Sequence, residues 1–97
     1  MTDRSTYQQK READIRLIEA ELEKMKARAE RAEADAKILY QGQVEALQER
    51  LDAARTKLKE LGEASEDAWD SVRSGTEKAV DELKAGFEKA KRKLDSA

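Results

Sequence analysis

Residues 65–97 are one short unit written three times: SEDAWDSVRSG (65–75), TEKAVDELKAG (76–86) and FEKAKRKLDSA (87–97). Glu recurs at 66, 77 and 88, and Ala at 68, 79 and 90. The large apolar position is Val72, Leu83 and Leu94, and the small closing residue is Gly75, Gly86 and Ala97. An eleven-residue repeat over three turns gives about 3.67 residues per turn, close to an undistorted α-helix, so the apolar stripe runs nearly straight. The repeat predicts an amphipathic helix over about 65–96 that lies along something. It names no chemistry.

Just upstream stands the strongest turn signal, Leu61-Gly62-Glu63-Ala64-Ser65-Glu66-Asp67. Gly62 suits the left-handed position that ends a helix. Ser65 suits an N-cap, with Glu66 and Asp67 well placed against the positive end of the next helix. Before the turn, apolar or Ala positions fall at 15, 18, 22, 25, 29, 32, 36 and 39, in alternating steps of three and four. That is a heptad seam. Its middle, KARAERAEADAK, is thin, with Ala29, Ala32 and Ala36 where Leu usually sits, so this part needs a partner for stability. The seam changes phase by a four-residue stutter and continues as Tyr40, Val44, Leu47, Leu51, Ala54, Leu58 and Leu61. Gly42 lies within it as an interior helix glycine, at a cost of about 1 kcal/mol relative to Ala. A capping box at Ser5 or Thr6 starts the first helix between residues 3 and 7.

The expected fold is therefore an all-α antiparallel helical hairpin in one domain, 1–97, with a long helix over about 3–61 and a short one over about 65–96. Folded back at the turn, Trp69 meets Leu58, Thr76 meets Leu51, Val80 meets Leu47, Leu83 meets Val44 and Phe87 meets Tyr40. Gly42 and Gly86 fall level beside the Tyr40 and Phe87 rings and make room for them. Trp69 acts as the hydrophobic lock. The long arm, about 88 Å at 1.5 Å per residue, overhangs the short one by its first ~30 residues. That overhang carries Ile15, Ile18, Leu22 and Met25, a stripe that calls for a partner. The simplest partner is a second copy, giving a homodimer or larger bundle.

Composition bounds the chemistry. Charged residues make up 43% of the chain, acids and bases are interleaved to a net charge of −2, and Leu, Ile, Val and Phe total only 16 of 97. Little globular core can be built from this, and long helices fit it best. The chain has no Cys, His or Pro. Thiol chemistry, thiolate metal sites and the commonest general base are thereby removed. Carboxylates such as Glu19, Glu21, Glu23, Glu30, Glu33 and Asp35 lie off the seam beside Lys or Arg, as a solvated face with i,i+4 pairs such as Glu12–Arg16. No catalytic, cofactor or metal site is expected. Lys84, Lys89, Lys91, Arg92 and Lys93 make the C-terminal end basic, but residues 65–97 balance eight acids against seven bases. Nucleic acid is not an expected partner. A lipid surface is possible for the 65–97 helix. With no apolar leader and no membrane-length apolar run, a cytoplasmic location is the default.

Three pieces of sequence resemble a known family: LYQGQVEALQERLDAARTKLKEL (39–61), ASEDAW (64–69) and KAGFEKA (84–90). They are similar to small bacterial coiled-coil proteins regarded as putative stress-response proteins of unknown mechanism. The resemblance covers most of the chain, best from Tyr40 onward; Gly42 and the Ala-rich first arm depart from it. It implies helices and a stress-associated setting, and supplies no site residues. The leading expectation is a non-enzymatic structural or interaction module acting through homo-oligomerisation. The alternatives are reversible lipid-surface binding by helix 65–97 and a holdase-like chaperone.

Overall fold

The computed structural model describes residues 3–95, and it is all-helical: α1 is Arg4–Arg31, α2 is Ala34–Glu63 and α3 is Trp69–Asp95. The helix expected over 3–61 is thus two helices. The chain leaves helical geometry at Ala32 (φ −76°, ψ 152°) and Glu33 (φ −73°, ψ 164°), then re-enters it. α1 folds back antiparallel on α2, as the Glu19–Arg55 pair and the approach of Gln8 to Gly62 require. The up-down-up order makes α1 and α3 parallel, with Tyr7 beside Trp69 at one end and Asp14 beside Lys84 further along.

Magnitudes explain the break. A continuous helix in a lone chain leaves Ile15, Ile18, Leu22 and Met25 in water. Folding back buries all four, Leu22 to 1% exposure, at about 1.5–3 kcal/mol each. The helical hydrogen bonds given up at the break are worth about 0.5–1.5 kcal/mol apiece. Burial wins. The break falls where the seam is thinnest, between Ala29 and Ala36, so little packing is forfeited there.

The second connection also differs in detail from its expected form. α2 runs through Gly62 to Glu63, and no described residue, glycine included, has positive φ. Gly62 is used for closeness instead of handedness, since a Cβ there would meet Gln8 Nε2 at 3.0 Å. Ser65 does hold the turn. Its hydroxyl oxygen accepts from the Ala68 N–H at 3.3 Å, within a turn over 66–68 that delays the start of α3 to Trp69. The expected end at 96 lies outside the described residues.

α2 packs extensively on both neighbours, whereas α1 and α3 touch sparsely. One cluster joins Ile15, Ile18, Leu22 and Met25 of α1, Leu47, Leu51 and Ala54 of α2, and Val80, Leu83, Ala90 and Leu94 of α3. The α2–α3 register is shifted from the expected one. Thr76, fully buried, shares its hydroxyl proton between Val72 O at 2.9 Å and Lys57 O at 3.1 Å, so it faces Lys57 and not Leu51. Gly86 lies under the Arg50 side chain, and nothing lies within 4 Å of a Cβ built on Gly42. The two glycines therefore make no room for an aromatic pair. Gly42 is, as read from the sequence, interior to a helix.

Candidate interaction site

The four residues expected to form an exposed assembly stripe, Ile15, Ile18, Leu22 and Met25, are inside the molecule. Their seam faces α2 and α3 of the same chain. The residues expected to hold the hairpin do line this core. Leu47, Val80 and Leu83 are buried, and Tyr40, Val44, Leu58 and Phe87 are half-buried against them.

Trp69 is the exception in its partner. Its ring stands edge-on to Tyr7, with centroids 5.8 Å apart and planes at 73°, so the lock joins α3 to α1. Arginines surround the pair: Arg4 sits 5.2 Å from the Trp69 centroid, Arg11 5.4 Å from that of Tyr7, and Arg73 within 6 Å of both. Cation–π contacts of this kind add about 0.5–1 kcal/mol each where exposed. Sequence reading missed Tyr7 because the seam seemed to begin at Ile15. Carried backward in four-residue steps the stripe passes Arg11 to reach Tyr7, but a charged residue at the intervening step hides the continuation. Tyr7 is 8% exposed and its hydroxyl has no hydrogen-bond partner. Burial, and then the nearby Glu77 carboxylate, push this hydroxyl up to about 12.

Because α1 and α3 touch sparsely, an open trough of about 550 Å³ runs between them. Ile18 and half-buried Phe87 contribute its apolar floor, and Leu17, 65% exposed, stands on its wall. Across it the Asp14 carboxylate pairs with Lys84 at 3.2 Å, and within α1 it pairs with Arg11 at 3.2 Å. Such partly solvated pairs contribute about 0–1 kcal/mol. Only Asp14–Lys84 joins α1 to α3, and it tethers them weakly.

The two connections are built differently. The α2–α3 connection carries a defined turn held by the Ser65 hydroxyl. The α1–α2 connection is Ala32-Glu33 alone. α1 ends on a backbone bond from Ala32 N–H to Ala29 O at 3.3 Å, just as α2 ends on one from Ala64 N–H to Leu61 O at 3.2 Å. Glu33 makes no side-chain cap bond at the start of α2. Ala and Glu are both good helix formers. Nothing in the chemistry of these two residues demands the bend.

Among the described residues no group of three or more His, Cys, Asp or Glu is arranged to hold a metal ion. No described helix is long and apolar enough to cross a membrane. The exposed carboxylates pair locally, as in Glu12–Arg16 at 2.7 Å and Glu23–Lys26 at 3.2 Å. The chemistry on offer is apolar contact between helices. Comparison with known proteins finds no matching family model, no matching curated protein and no matching solved structure.

Proposed function

We propose that this chain is a non-enzymatic interaction module, built on coiled-coil packing with an eleven-residue stripe on α3, and that its working surface is its own internal seam. α1 is the element that moves. Its release uncovers Ile15, Ile18, Leu22 and Met25 on one side and the facing residues of α2 and α3 on the other. The observation that carries this reading is a contrast in what precedes the two following helices: the Ser65 hydroxyl holds the turn ahead of α3, whereas Glu33 makes no side-chain cap bond ahead of α2. The sparse α1–α3 contact adds to it. The resemblance of residues 39–61, 64–69 and 84–90 gives the module a stress-associated setting.

The same contrast disfavours lipid binding by α3. That helix buries Val80 and Leu83 completely and is held by the better-made turn.

Native-state hydrogen exchange followed by mass spectrometry tests the proposal. Amides of α1 should exchange through an opening that leaves α2 and α3 protected, at least tenfold faster than those around Leu51 and Leu83. Exchange of all three helices in one concerted event would overturn it.

A further inference from the structure

We infer that the surface uncovered by α1 is filled by α1 of a second copy of this chain, through helix exchange about the Ala32-Glu33 joint. The inference rests on the release of α1 proposed above and names its partner. In the exchanged form the two joint residues become helical, so that α1 and α2 fuse into one helix over residues 4–63, about 90 Å long.

Three observations point to a second copy. The first is the joint. Ala29, Ala32, Ala36 and Leu39 keep the three-four spacing across it without a change of phase, and neither proline nor glycine interrupts residues 4–41. The bend leaves the start of α2 without a side-chain cap and closes α1 only through the Ala32 N–H to Ala29 O. Straightening the joint gives those backbone groups helical partners. A two-residue connection that bends against its residues' own preference is the kind that promotes exchange.

The second is conservation of contact. Every partner of α1 in the closed chain is present in a second copy, so exchange re-forms the Tyr7–Trp69 pair, the Glu19–Arg55 bridge and the Asp14–Lys84 bridge between chains. No other macromolecule is guaranteed to match this seam. The balance between closed and exchanged forms then reduces to the joints and to concentration.

The third is what meets at the new twofold axis. The α1–α2 register set by Glu19–Arg55 and Gln8–Gly62 brings Ala36 of the two chains opposite one another, with Ala32 level with the large Tyr40. Small residues there let two long helices approach closely. The thin, alanine-rich seam of a lone chain becomes a fitted crossing in a pair.

The test uses the full chain, which contains no native cysteine. Glu19→Cys and Arg55→Cys chains are made separately, mixed, incubated at high concentration and treated with a short bis-maleimide. Mass is followed in parallel by light scattering. Exchange predicts a mass that rises from monomer toward dimer with concentration, and a cross-link joining the two different chains. In a Glu33→Pro background both should vanish. Glu33 has φ −73° and follows an extended Ala32, a geometry proline accepts. Proline inside a continuous helix lowers the dimerisation constant by about 10⁴-fold over two joints. Ala32→Gly, a gentler variant, should lower it about 30-fold. A monomer at every concentration overturns the inference, and so does a dimer indifferent to both joint variants. Independent opening of α1 in hydrogen exchange beside a strict monomer removes the self-partner alone. Concerted exchange of all three helices removes the reading beneath it.

Discussion

At the scale of single residues, Tyr7 carries the clearest electrostatic consequence. Its hydroxyl is buried without a hydrogen-bond partner, and burial together with Glu77 raises its pKa to about 12 from an ordinary 10. The folded chain therefore holds the proton more tightly than the unfolded chain between pH 10 and 12. Stability from this group is fully present below pH 10 and is lost as pH rises toward 12, by about 2–3 kcal/mol in total. Tyr7→Phe keeps the ring against Trp69 and removes the titrating group. Urea unfolding measured from pH 9 to 12 should show a smaller alkaline loss for the variant, with stability at pH 7 unchanged or slightly higher. An identical alkaline profile for the two chains would contradict the buried placement of the hydroxyl. Leu17 and Leu22 show what residue identity alone does not reveal: both sit in α1, yet one is 65% exposed and the other 1%. The heptad steps picked out Leu22 and left Leu17 off the stripe, and the structure separates them in the same way.

At the scale of elements, the two connections make opposite predictions. Ser65→Ala removes the hydroxyl that accepts from Ala68 and should cost about 0.5–1 kcal/mol in thermal or urea unfolding. Glu33→Pro removes nothing the closed fold uses and restricts the unfolded chain, so it should be neutral or stabilise by about 0.4–1 kcal/mol. A large loss of stability in Glu33→Pro would mean that residues 32–33 are helical in the monomer. Helix content was legible because periodicity is local chemistry. The caps were less so: α1 starts at Arg4 behind an Asp3 that makes no side-chain cap bond, in place of the expected capping box at Ser5 or Thr6. Ser65 holds the turn before α3 without being its N-cap. The break at Ala32-Glu33 was not legible, because both residues prefer helix and the cause lies elsewhere, in four apolar side chains seeking cover. The thin alanine seam marked where a break costs least, without showing that one occurs. Register failed for a related reason. Matching residues along the seam set Thr76 against Leu51, whereas its hydroxyl reaches Lys57 O at 3.1 Å, a bond that seam spacing does not show. Trp69 was expected to lock the hairpin against Leu58; its ring stands edge-on to Tyr7 instead, a partner that could be found only once α1 had folded back.

At the scale of the whole molecule, the bundle measures 51 × 18 × 17 Å. Its charge is high in density and low in consequence. The ion pairs are partly or largely solvated, and most join residues three or four apart on one helix. Pairs of this kind are screened and contribute little. Raising sodium chloride from 0.05 to 1 M should therefore shift the folding free energy by no more than about 1 kcal/mol, measured as the change in urea midpoint. A larger loss would show that the Glu19–Arg55 and Asp14–Lys84 bridges between helices hold the bundle together. The order of the helices along the chain has a further effect during synthesis. The helix proposed above to open is made before the other two, and the surfaces that cover it follow it. At ribosomal speeds of about 5–20 residues per second, residues 32–95 follow α1 after about 3–13 s. Through that interval the nascent chain has no α3 of its own to dock on. Neighbouring ribosomes on one message hold identical α1 segments close by, and nascent chains can pair there before any of them closes on itself.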